Sequence, residues 1–244
     1  MTSKTDAIVT GTVDVGESSR IVRLLTPEGG RVSAIANGAR GASSKLASAL
    51  EPGTRLSVTL VRGRGELAYL RGVDVISAPR RARADLDRLL LLGYGCEFCA
   101  ALAPEHHEAE KLHGLLAVFV DRLEVDPAPG DATRQALEAK ALTFAGLAPA
   151  LVRCARCQDP LVDPCVFDPD AGGALHTRCG GGAAFDAASG ARLDALRRTP
   201  LASSEGIGAA SSPWLLADFA RWHHYGAPKA RSVIESIGRA PRAT

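Results

Sequence analysis

Ala7-Ile8-Val9-Thr10-Gly11-Thr12-Val13-Asp14-Val15 has a two-residue rhythm: Ala7, Val9, Gly11, Val13 and Val15 alternate with Ile8, Thr10, Thr12 and Asp14. That is the period of a strand burying one face. Further along, Leu56, Val58 and Leu60 alternate in the same way with Ser57, Thr59 and Val61. Pro27-Glu28-Gly29-Gly30 and Gly63-Arg64-Gly65-Glu66 supply turn chemistry between such strands. The pattern predicts five strands, over 6–15, 19–26, 30–36, 54–63 and 66–77, with a short helix at 44–50 between the third and fourth. Five strands with a helix in that slot is the order of an OB barrel, whose face commonly binds oligonucleotides.

After Pro79 the period lengthens. Leu86, Leu89, Leu90, Phe98 and Leu102 form one helical stripe, and Leu112, Leu115, Leu116, Phe119 and Leu123 form a second. Asp131 is placed to cap a third helix, and helical patterns resume at 187–198, 213–225 and 229–238. Between them, residues 150–185 lose periodicity and collect Cys, Pro, Gly and Asp. The expected architecture is an α+β multidomain chain. An N-terminal five-stranded OB-fold β-barrel at 1–80 precedes an α-helical domain at 81–244, which carries a metal-binding insert at about 150–185.

A composition of 46% hydrophobic and 23% charged residues in 244 excludes a wholly disordered or fibrous chain. No apolar run is long enough for a membrane span, and the N-terminus has no apolar block of a signal peptide, so a cytoplasmic protein without a membrane partner is expected. The net charge of +2 conceals an asymmetry: residues 1–83 hold 13 Lys and Arg against 7 Asp and Glu, a surplus of six. A basic barrel points to phosphate backbones. The first 83 residues hold a single aromatic, Tyr69, so contact is expected to be dominated by the backbone, salt-sensitive and indifferent to sequence.

Four of the six cysteines lie between 154 and 179. Cys154-Ala155-Arg156-Cys157 and His176-Thr177-Arg178-Cys179 are two ligand pairs, each with two residues between, the spacing of a structural zinc site. Cys165 is a rival to His176 as fourth ligand, but belongs to no such pair. Four protein ligands leave no open position for a substrate, so the expected Zn2+ holds structure. Cys96 and Cys99 have the spacing of a redox pair but sit inside a leucine-rich helical run, which makes them packed core thiols. His106, Glu110 and His113 share a helix face and are read as a solvated surface.

Enzymatic motifs fail on particular residues. Gly38-Ala39-Arg40-Gly41-Ala42-Ser43-Ser44-Lys45 lacks the glycine that precedes the lysine in a phosphate-binding loop. The position two beyond His176, where a zinc deaminase carries its glutamate, is Arg178. The start Gly16-Glu17-Ser18 never supplies the second glycine of a nucleophile elbow. No catalytic residue is assigned. Two other readings stay open: a zinc-stabilised OB-fold RNA-binding adaptor and a zinc-dependent nucleic-acid-modifying enzyme.

Gly16-Glu17-Ser18-Ser19-Arg20-Ile21-Val22, Thr26-Pro27-Glu28-Gly29-Gly30-Arg31, Gly38-Ala39-Arg40, Ser44-Lys45 and Leu50-Glu51-Pro52 resemble the barrel of the bacterial recombination mediator family RecO. The later Cys-x-x-Cys, the Gly172-Gly173 pair and the second spaced pair resemble that family's zinc insert, with His176 where the family usually has cysteine. The resemblance implies a non-enzymatic DNA repair protein, cytoplasmic and nucleoid-associated, that binds single- and double-stranded DNA and anneals complementary strands. It further implies that, with RecR, the chain helps load RecA onto DNA coated by single-stranded DNA-binding protein, whose C-terminal tail is a further partner. Arg20, Arg23, Arg31, Arg40, Lys45, Arg62 and Arg64 are the expected DNA contacts, with Arg197 and Arg198 as an extension of the path.

Overall fold

The computed structural model describes residues 2–39, 45–63, 65, 67–226 and 228–239. The predicted strands form: β1 (Thr2–Val15), β2 (Ser19–Thr26), β3 (Gly30–Ala36), β4 (Arg55–Arg62) and β5 (Ala68–Ser77), with α1 (Lys45–Ala49) between β3 and β4. They close in the order β1-β2-β3-β5-β4, with β1 also pairing β4 and β3 pairing β5 in parallel, which is the OB barrel topology. Alternation sends Ala7, Val9, Val22, Leu24, Ala34, Leu56 and Val58 inward, and Ala49 and Leu50 from α1 and its end complete the same interior.

Among the described residues, four helices besides α1 accompany the barrel in one compact unit, Met1–Asp126 with Pro228–Thr244: α2 (Arg80–Ala84), α3 (Leu86–Leu102), α4 (Glu110–Leu123) and α9 (Lys229–Arg239). This unit therefore runs on past the barrel to Asp126. α3 and α4 pack on β1, α4 on β2, and α9 on α3, where Glu97 accepts the Ala230 N–H at 3.2 Å. Gly30 is required here. Its φ is +57°, and a Cβ would meet the Pro104 carbonyl oxygen at 2.2 Å, where Arg31 N–H donates to that oxygen at 2.8 Å.

The second unit, Pro127–Ala227, holds α5 (Asp131–Phe144), α6 (Ala187–Arg198), α7 (Ser204–Ile207) and α8 (Leu215–Trp222). It also holds three short strands in the order β7-β6-β8: β6 (Cys165–Asp168), β7 (Gly173–His176) and β8 (Ala183–Phe185). Gly130, and not Asp131, is the N-cap of α5. The Glu205 carboxylate accepts from the Gly130 and Thr133 N–H groups at 2.8 and 3.0 Å, serving as the cap from another helix. Asp131 instead holds Arg134, which also bonds Glu138 at 2.5 Å and lies 3.9 Å from the Trp214 ring centroid. No helix among the described residues is long and apolar enough to cross a membrane.

Candidate metal centre and nucleic-acid face

The candidate metal centre forms from two knuckles beside one small sheet. Gln158 N–H donates to the Cys154 carbonyl at 2.9 Å, closing the first turn, and Cys179 N–H donates to the His176 carbonyl at 2.8 Å, closing the second. β7 delivers His176 to its end, and Ala150 is stitched to the same strand by Ala150 N–H to Gly172 O and Ala174 N–H to Ala150 O. Gly173 permits that close approach, because a Cβ would meet the Ala150 oxygen at 2.4 Å.

The ligand atoms of Cys154, Cys157, His176 and Cys179 all lie within 4.8 Å of one another, so these four could hold a metal ion. A tetrahedron with metal–sulfur bonds of about 2.3 Å has an edge of about 3.8 Å, so the cluster needs only a small contraction. The His176 ring is oriented for the task. Nε2 lies 3.1 Å from the Pro160 carbonyl, which can only accept, so Nε2 carries the proton and Nδ1, 3.4 Å from Cys157 Sγ, is left with its lone pair. Burial opposes ionisation of Cys154, yet backbone N–H groups of Cys157, His176 and Arg156 aimed at its sulfur bring it down to about 6. Arg156 bonds the Cys179 carbonyl at 2.5 Å, and Arg178 lies 3.6 Å from Asp159 on the exposed side.

Cys165 does not join the four. Its thiol is 3.4 Å from both Asp163 Oδ1 and the Phe185 carbonyl, and burial together with Asp163 pushes it up to about 11. Cys96 and Cys99 are fully buried in α3, and burial raises both thiols, Cys96 to about 12. His106 and Glu110 are exposed while His113 is buried, so that trio does not converge.

The expected DNA contacts separate by environment. Arg20 points along the inward side of β2, opposite Asp14 and Ala36, where it binds Asp14 at 2.8 Å and lies 3.7 Å from Glu51. Arg31 is held by Glu105 at 2.7 Å. Arg197 and Arg198 share the carboxylate of Asp194 at 2.5 and 2.9 Å. Arg23 is exposed on the outward side of β2 and has no carboxylate partner among the described residues. Arg40 and Arg64, with the side chains of Lys45 and Arg62, lie outside the described residues. Two further cations of the basic surplus are structural: Arg83 donates to Glu51 O, Pro52 O and Thr54 Oγ1, and Arg81 binds Asp126 at 2.9 Å. Arg71 and Arg80 are exposed without a carboxylate partner among the described residues.

Comparison with known proteins then matches both parts of the chain in order. Residues 1–79 match the model of Recombination protein O N terminal, and residues 83–223 match Recombination protein O C terminal. The chain belongs to the RecO family. It is 40% identical over 182 residues to the DNA repair protein RecO of Anaeromyxobacter dehalogenans strain 2CP-1, covering 74% of this chain and 71% of that one. It is 35% identical to the RecO protein of Anaeromyxobacter sp. strain Fw109-5 over 96% of each chain, and 38% identical to that of Myxococcus xanthus over 72% of this chain and 71% of its relative. The four-residue cluster and the OB barrel accordingly sit in a RecO framework.

Proposed function

We propose that this RecO-family chain is a non-enzymatic mediator of DNA repair and recombination that binds single- and double-stranded DNA and anneals complementary strands. With RecR it helps load RecA onto DNA coated by single-stranded DNA-binding protein, whose C-terminal tail it engages, in the cytoplasm at the nucleoid. The observation that carries the DNA-binding part is Arg23 and Arg71 exposed on barrel strands without carboxylate partners among the described residues. Such cations can replace the counterions of a phosphate backbone, whereas Arg20 and Arg31 are already neutralised. Screening two backbones while leaving base edges accessible is what annealing requires.

Zinc is the proposed occupant of the cluster, because three thiolates and one imidazole form a tetrahedral donor set suited to it. Cys154, Cys157, His176 and Cys179 would hold it and fill every position, so its contribution is to brace the β6–β8 sheet. Annealing of two complementary oligonucleotides, followed against salt concentration, tests the reading: acceleration that fades with salt is expected. No acceleration at low salt would overturn it.

A further inference from the structure

The outside of the barrel carries two apolar rows with different fates. Ile8 and Leu25, register partners on β1 and β2, are fully buried outside the barrel interior, on the strands that α3 and α4 cover. The second row runs Val13, Ile21, Ile35, Tyr69 and Val61 across β1, β2, β3, β5 and β4, each residue the register partner of the next. None of these five belongs to the interior cluster. Val13 is 43% and Tyr69 38% exposed, and the other three are half-buried.

Charge flanks this belt. Arg23 is two residues from Ile21 on the same side of β2, and the Arg71 guanidinium is 5.5 Å from the Tyr69 ring centroid. An apolar strip with one ring and flanking cations complements a polyanion that has flat apolar faces to offer. A single strand fits that description. A duplex has its base faces buried in its own stack and presents its backbone and groove edges, with no flat face for a ring.

We propose that the belt is a base-stacking station for single-stranded nucleic acid, with one base lying on Tyr69 while Arg23 and Arg71 hold neighbouring phosphates. The proposal rests on the nucleic-acid reading above and adds to it a ring contact that favours single strands over duplex. Stacking engages the face of a base and leaves its pairing edge free. The belt is therefore compatible with annealing.

The test is fluorescence anisotropy with the full chain and two labelled strands of equal length, oligothymidine and a strand made abasic through its centre, which carry the same phosphates. The wild-type chain should bind the abasic strand about five-fold or more weakly. Tyr69→Phe should keep that discrimination, and Tyr69→Ala should lose it while still binding both. Equal wild-type affinity for the two strands, or discrimination that survives Tyr69→Ala, would overturn the belt and leave DNA binding intact. Binding of neither strand at low salt would overturn the nucleic-acid reading, and the belt with it.

Discussion

Removing single arginines from the barrel should separate cations that neutralise phosphate from structural cations by salt slope. Arg23 is exposed and unpaired among the described residues, whereas Arg20 has only 18% of its side chain exposed and is bound to Asp14. Every phosphate of a single strand that the protein no longer neutralises lowers the slope of log affinity against log salt by about 0.7. Arg23→Ala should therefore flatten the slope by about 0.7, and the double variant Arg23→Ala/Arg71→Ala by about 1.4. Between 50 and 200 mM salt, the wild-type advantage over the single variant should shrink by about 2.6-fold, and over the double by about 7-fold. Arg20→Ala and Arg31→Ala should leave the slope unchanged, and removal of the half-exposed Arg31–Glu105 pair should cost less than about 1 kcal/mol of stability. Anisotropy titrations at four salt concentrations give these slopes. An Arg23→Ala slope equal to wild type, or an Arg20→Ala slope flattened as much as Arg23→Ala, would refute the assignment.

Metal analysis should return about one zinc per chain, retained in Cys165→Ser and lost in Cys157→Ser; retention in the second variant would place the centre elsewhere. Thiol titration at pH 8 should find three cysteines released by a chelator, Cys154, Cys157 and Cys179, while Cys96 and Cys99 react only after denaturation, since burial keeps both protonated. His113 is buried, its Nε2 has no hydrogen-bond partner among the described residues, and desolvation reinforced by Arg55 lowers its pKa, so the fold favours the neutral ring. The unfolded chain takes up that proton near pH 6.5, so stability should fall as pH drops through and below that value, and His113→Leu should lessen the fall in denaturant titrations at pH 7.5 and 5.5. Glu138→Ala should destabilise the second unit by about 3 kcal/mol, because it removes the buried carboxylate that the fully buried Arg134 binds. Both tryptophans, Trp214 and Trp222, lie in that unit, so their emission reports its unfolding directly.

The barrel was legible because its signals are local. Alternation in 6–15 and glycine turns at 27–30 and 63–66 mark the strand edges to within four residues, and the knuckle spacing named the four side chains that converge. What escaped is non-local. β6, β7 and β8 have three or four residues each, too few to show a period, and they form because register partners such as Cys165 and His176 meet across a ladder. The α5 cap is Glu205, and the carboxylate that occupies Arg31 is Glu105, 74 residues away. Counting arginines could not tell Arg20 from Arg23, since the difference lies in which side of β2 each occupies.

The path of the chain through its two units carries a consequence for biosynthesis. The segment from Pro127 to Ala227 is continuous, while the barrel's unit needs α9, translated after that whole segment, to cover α3. The earlier-made unit therefore cannot be completed during its own synthesis: its closing helix is among the last residues translated, so both units close only as the finished chain leaves the ribosome.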